Sequence, residues 1–238
     1  MKSKGVLYLI PTILTLESDI NSIPWQVVER INVVDLLLSE NPKTSRAFLK
    51  RIKIDRPIQE FQIDRFDKHS TESEAMKYIK FMEKGQSLGI LSESGCPAVA
   101  DPGNILVRMC HKNSIKVVPL VGPSSILLAL MASGLNGQNF AFGGYIPANK
   151  ENRVSYIKKL NNEVIKSKQT RIFIETPYRN QLLFDAFIKY LANEVYLCVA
   201  IDLSTNTEII KTMKIRDWKN DKDKFMLKNR QVTFLVGV

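Results

Sequence analysis

Short aliphatic runs alternate along this chain with longer stretches whose apolar residues recur at helical spacing. That alternation constrains the fold more than any single motif does. Val6–Ile10, residues 33–38, Leu88–Leu91 and residues 115–120 read as buried strands. Between them, Trp25, Val28 and Ile31 mark one helical stripe, with Ser22 as the expected cap and Pro24 in the first turn. Asn41-Pro42 opens a second helix through Arg46, Phe48, Leu49 and Ile52, whose outer face carries Lys43, Arg46, Lys50 and Arg51. An irregular stretch surrounds Pro57. Thr71-Glu72-Ser73-Glu74 then fits a capping box for a third helix, with Ala75, Tyr78, Ile79 and Met82 inward and Gly85 as the stop. Asp101-Pro102 is expected to begin a fourth, with Ile105, Leu106 and Met109 as its buried stripe. Strands and helices in strict alternation predict an α/β lobe with a largely parallel sheet over residues 1–119.

Val121-Gly122-Pro123 breaks the pattern, and Ser124 or Ser125 is expected to cap an apolar helix ending at Gly134. Residues 120–238 read as a second α/β lobe with a mixed sheet. Its strands fall near residues 140–142, 171–175, 195–202, 207–213 and 232–236, and its helices near 151–165 and from Asn180 to Tyr190. At 238 residues and 45% hydrophobic content the chain can bury a substantial core. None of its apolar runs reaches the roughly 20 residues of a membrane span, and no signal peptide is evident, so a cytoplasmic protein without a membrane partner is expected. Cys96, Cys110 and Cys198 show no CxxC spacing, and His69 and His111 are the only histidines. Neither a disulfide framework nor a metal site is suggested. The net charge of +10 favours polyanionic partners, RNA among them.

Loops that follow apolar strands carry the candidate chemistry, because open α/β sheets bind ligands at the carboxyl ends of their strands. Three such loops are YLIPT, LSESGCPAVADPG and VGPSS. In the second, Gly95 allows a ligand to approach the backbone, and Pro97 and Pro102 stiffen the turn. A phosphate-binding GxxxxGK[ST], a GxGxxG after the first strand and a GxSxG elbow are all missing. Kinases, GTPases, ordinary dinucleotide enzymes and serine hydrolases are thereby disfavoured.

Taken together, these segments resemble the tetrapyrrole-methylase-like class of S-adenosylmethionine-dependent methyltransferases. They are most similar to its branch that methylates a cytidine 2′-hydroxyl in 16S ribosomal RNA. That branch reads approximately LYIVPTPIGNL, AEDTR, VSDAGTPLISDPG, VVPLPGPSA, FxGFLP, FYESPHR and ARELTK. Here the corresponding stretches are LYLIPTILTL, SENPKTSR, LSESGCPAVADPG, VVPLVGPSS, FGGYIP, FIETPYR and AIDLSTNTE. The likeness runs in order from Leu7 to about Thr207, and its most specific part is SxxGxPxxxDPG followed by VVPLxGPSS.

The resemblance implies two α/β lobes of the tetrapyrrole methylase-like fold with the cofactor, S-adenosyl-L-methionine, folded in the cleft between them, and a homodimer. It implies that Pro11, Gly95, Pro97 and Val99 line the cofactor cleft. Ser124 and Ser125 would touch the methionine or ribose end, and Tyr145 and Ala200 would add from the second lobe. Glu40 or Glu175 would act as base, and Arg46 or Arg179 would steer phosphate or stabilise charge. Departures cluster on the substrate side: PIGNL becomes ILTLE, AEDTR becomes SENPK, the histidine of YESPHR becomes Tyr178, and ARE becomes AID with Asp202. The implied activity is 2′-O-methylation of a cytidine in small-subunit ribosomal RNA. Methylation of a tetrapyrrole or other small heterocycle, and a non-catalytic RNA-binding or cofactor-sensing protein, stand as alternatives.

Overall fold

The computed structural model describes residues 3–221 and 225–238. They form two compact units, one ending at Ser124 and the other beginning at Ser125. The first unit runs β1 (Val6–Ile10), α1 (Trp25–Val33), β2 (Leu36–Ser39), α2 (Pro42–Arg51), β3 (Ile63–Arg65), α3 (Glu72–Glu83), β4 (Leu88–Leu91), α4 (Asn104–Lys112) and β5 (Lys116–Pro119). All five strands are parallel, in the order β3-β2-β4-β1-β5.

Both faces of this sheet are covered, and side chains alternate between two cores as the period of a strand requires. Leu7, Leu36, Leu38, Leu88 and Ile90 face α3 and α4. Ile10 and Leu37 face α1 and α2, where Val27, Ile31, Phe48 and Leu49 pack on them. The capping box of α3 forms as expected, with the Thr71 hydroxyl accepting from the Glu74 backbone N–H at 3.2 Å and the Glu74 carboxylate accepting from the Thr71 N–H at 2.7 Å. Asn41 likewise caps α2, with Pro42 in its first turn.

Several local expectations are corrected. Pro24 itself is the cap residue of α1, and Ser22 lies outside it in a short 3-10 turn. The buried stripe of α1 is Val27 and Ile31; Trp25 is 67% exposed. Val33, read as the start of a strand, ends this helix, because the pairing with β3 and β4 begins only at Leu36 and Leu37. Helix α4 begins at Asn104 behind Gly103, so Asp101 is not its cap, and Cys110 replaces Ile105 in its buried stripe. The irregular stretch after Pro57 contains the short edge strand β3.

The second unit runs α5 (Ser125–Ser133), β6 (Phe140–Gly144), α6 (Lys150–Ser167), β7 (Thr170–Ile174), α7 (Asn180–Tyr190), β8 (Tyr196–Ile201), β9 (Ile209–Lys214), α8 (Ile215–Asp221) and β10 (Val232–Gly237). Its sheet order is β6-β7-β10-β8-β9, and only the β6–β7 pair is parallel. The final strand inserts between β7 and β8. Helix α5 packs on β8, β9 and β10. The opposite core holds Phe173, Phe184, Phe187, Phe234 and Trp218. Trp218 stacks edge-on to Phe184 at 5.2 Å and to Phe225 at 4.8 Å, and its indole N–H donates to the Leu197 carbonyl at 2.8 Å. Helix α8 is absent from the sequence reading, since its seven residues are too few for a periodic signal.

Candidate active site

Because the first sheet is parallel, the loops after β1, β2, β4 and β5 all leave from its carboxyl edge. The helices that follow β1 and β4 go to opposite faces: α1 packs against Ile10 and Leu37, α4 against Leu7 and Leu88. These two strands are adjacent, so the crevice between their ends is the switch point at which such sheets bind ligands.

The chain closes tightly there. Thr12 N–H donates to the Gly95 carbonyl at 2.9 Å, forming an isolated bridge between the two loops. The buried Ser92 hydroxyl also donates to the Gly95 carbonyl and lies 3.1 Å from the Thr12 hydroxyl. Gly95 has φ +71°, and a Cβ on it would stand 3.2 Å from both Leu14 Cδ2 and the Pro123 carbonyl oxygen. A Cβ on Gly122 would lie 2.3 Å from the ring of Pro11. At Gly122 a side chain would collide with Pro11, and at Gly95 the positive φ and the close contacts disfavour one, so the chain packs closely between the two loops. Beyond Gly95, Ala98 at φ 63° and Ala100 at φ 55° occupy the left-handed region that non-glycine residues avoid. Each costs of order 1 kcal/mol or more, and strain of this kind concentrates at ligand sites. Pro97 is buried beneath this loop and Val99 stands out from it, 51% exposed. The Cys96 thiol donates to the Pro123 carbonyl at 3.5 Å, and desolvation holds it above the usual thiol range.

Carboxylates gather beside the shelf. Glu40, Asn41, Pro42, Arg65 and Glu93 line a hollow of about 560 Å³. Glu93 accepts from the Asn41 N–H at 3.1 Å and from the Thr44 hydroxyl at 2.9 Å, which places its charge at the positive end of α2. Asp101 is half-buried, and desolvation raises its carboxyl to about 7; a hydrogen bond from the Glu93 backbone opposes this, and the charges of Glu40 and Glu93 reinforce it. From the sequence Asp101 reads as the start of a helix, and its role as a titrating group emerges only in the fold. The available signal was a carboxylate inside a Pro- and Gly-rich loop directly after a buried strand. Arg65, ion-paired with Asp67 at 2.9 Å, was also missed because its strand is short.

The structure thus assembles Pro11, Gly95, Pro97 and Ser124 around the strand ends of the first unit and brings Glu40 to the adjoining hollow. Arg46 is exposed on α2, where among the described residues its guanidinium reaches only the Pro42 carbonyl, at 3.5 Å. The hydroxyls of Ser124 and Ser125 have no hydrogen-bond partner among the described residues, so neither serves as the expected side-chain cap of α5. In the second unit Glu175 is 7% exposed and ion-paired with Arg179. Its other oxygen accepts from the Thr176 N–H at 2.7 Å, and Arg179 also donates to the Ile146 carbonyl at 3.2 Å. This pair therefore ties FIETPYR to the YIP segment. Tyr145 is exposed beside that segment; Ala200 is buried in β8, paired with Ile210 on one side and Thr233 on the other.

No protein-family model matches the chain. It is 26% identical over 236 residues to ribosomal RNA small subunit methyltransferase I of Buchnera aphidicola, covering 98% of this chain and 79% of that one. To the protein of the same name from Mesorhizobium japonicum it is 30% identical over 210 residues, covering 88% of this chain and 67% of the relative. Among solved structures, the methyltransferase CobJ superposes with a TM-score of 0.62 at 14% identity, covering 98% of this chain and 94% of that one, which is a likeness of fold.

Proposed function

Since the chain belongs to the ribosomal RNA small subunit methyltransferase I family and is a methyltransferase, we propose that it methylates the 2′-hydroxyl of a cytidine in small-subunit ribosomal RNA, using S-adenosyl-L-methionine. The observation that carries this reading is the strained, glycine-lined shelf at the β1–β4 switch point. The turn closed around Gly95, the exposed Val99 beside it and the hydroxyl of Ser124, which has no partner among the described residues, suit a ligand seated against this loop. Pro11, Gly95, Pro97, Val99 and Ser124 would hold the cofactor, which supplies an electrophilic methyl group on a sulfonium.

A ribose hydroxyl is a poor nucleophile, and most of the acceleration comes from holding it in line and taking its proton. Asp101, raised to about 7, has the affinity for a proton that suits a general base near neutral pH. Glu40 flanks it, raises its proton affinity, and is the second candidate. Arg65, in the hollow that Glu40 and Glu93 line, offers positive charge to a phosphate. Glu175 and Arg179 act as a positioning pair for their loops, since each already satisfies the other.

We place the enzyme in the cytoplasm, where small ribosomal subunits are available, and as a homodimer. The exposed Leu127 and Met131, one turn apart on α5, support self-association, which sedimentation equilibrium measures directly. The activity is tested by incubating the protein with methyl-labelled cofactor and undermodified small subunits. Label should appear in small-subunit RNA and remain with the ribose after the base is released. Label on a base, or none in RNA, sinks the assignment.

A further inference from the structure

A groove of about 1050 Å³ between α3 and α4 has no role in the site described above. Five cations line it, Lys77 and Lys80 from α3, Lys84 at its C-terminal cap, and Arg108 and Lys112 from α4, against a single acid, Glu72. Lys77 is compensated by Asp64 at 3.4 Å. The other four form no ion pair among the described residues and are exposed to solvent.

Their spacing is self-repulsive. Lys80 on α3 and Lys84 at its cap stand four residues apart, and Arg108 and Lys112 one turn apart on α4, the spacing at which like charges repel along a helix. Two helices that each carry such a pair, turned toward a common groove, concentrate positive potential there. The floor is apolar, formed by Met76, Phe81 and Met109. The groove therefore combines a row of cations about 10 Å long on α3 and its cap, an opposing pair on α4 and a surface for the flat or apolar parts of a ligand.

We propose that this groove is a track for the phosphodiester backbone of the substrate RNA, separate from the carboxyl edge of the sheet where the methyl acceptor would enter. The assignment rests on the RNA reading given above. Charge complementarity selects this occupant: a polyanion neutralises four uncompensated cations at once and releases their counterions. A second copy of the chain would bring the same cations against its own.

The test uses the full chain, a labelled RNA fragment of the small subunit, and the double variant K80E/R108E, which reverses one charge on each wall. Both residues are exposed, so folding is expected to persist; circular dichroism and the affinity for S-adenosylhomocysteine should match wild type. RNA affinity at about 0.1 M salt should fall at least about tenfold, and the slope of log affinity against log salt should shrink by about 1.4 to 1.8. The neutral variant K80Q/R108Q should fall between the two. If the wild-type chain binds and methylates the RNA and K80E/R108E does so equally well, the groove assignment is wrong while the activity stands. If the wild-type chain neither binds nor methylates RNA, the activity reading fails and the groove assignment fails with it. A variant that loses dimerisation, or binding to anionic phosphatidylserine vesicles, with its RNA affinity unchanged also overturns the proposal.

Discussion

The two units solve the same packing problem differently. In the first, five parallel strands put every strand-to-helix loop at one edge, and the backbone there is strained at Ala98 and Ala100 and closed around Gly95. In the second, antiparallel pairing sends successive loops to opposite edges, and the core is dominated by large aromatic residues. The difference shows where sequence is free to serve a ligand. A parallel sheet concentrates loops, and a glycine- and proline-rich loop there contributes little to the core. Unit two spends its bulky residues on cohesion.

The sharpest break of this contrast is Trp218→Ala. Removing a fully buried indole together with its hydrogen bond to Leu197 should cost about 4 kcal/mol in unfolding free energy measured by denaturant titration. While the variant remains folded, its affinity for S-adenosylhomocysteine should be close to wild type. A cost below about 1 kcal/mol would show that the aromatic core is not the cohesive element described.

Gly95→Val reverses the pattern. A β-branched residue at φ +71° with its Cβ 3.2 Å from the Pro123 carbonyl should cost about 2 kcal/mol of stability. Its affinity for S-adenosylhomocysteine should drop at least about tenfold, because the strain sits in the shelf itself. Calorimetry returning an unchanged affinity would remove Gly95 from the binding site.

Asp101→Asn addresses the chemistry of the same region. The folded value of about 7 lies above the ordinary 3.8, so the folded chain holds this proton more tightly than the unfolded one. Asp101 therefore favours folding below about pH 4, and that contribution is lost as pH rises from about 4 to about 7. In wild type, methyl transfer should rise with pH toward 7 as the base ionises, and in the variant that limb should vanish. The variant should also gain about 1 kcal/mol over wild type on going from pH 5 to pH 8, a figure reduced for partial solvent exposure. An unchanged pH–rate profile would move the role of base to Glu40.

The smallest effect is expected for Thr71→Ala, which removes one side of the α3 capping box. Its cost should be about 1 kcal/mol, with cofactor affinity unaffected. Thermal denaturation checks the first part, and any loss of cofactor binding would mean that α3 communicates with the shelf.

How much of this was legible in advance depends on the range of the interaction involved. Thr71 with Glu74, and Asn41 with Pro42, were readable because a cap is settled within one helical turn. Gly95 was readable as a turn residue, and its segment pairs with VGPSS in the family resemblance. Pro24, Val33 and Asp101 were misplaced by a few residues, since local propensity does not say where the tertiary pairing of the next strand begins. The short β3 and α8 give too few residues for a period to emerge.

Sequence alone determined the alternation of strands and helices, the capped helix starts and the position of the shelf within the chain, because these depend on neighbours in the chain. The tertiary structure decided what depends on residues far apart: the order β3-β2-β4-β1-β5, the insertion of β10 between β7 and β8, and the pairing of Glu175 with the YIP segment through Arg179. It also decided the environment of Asp101. A carboxyl becomes a base near pH 7 only when folding removes its water and sets Glu40 and Glu93 beside it, and no local pattern encodes that meeting.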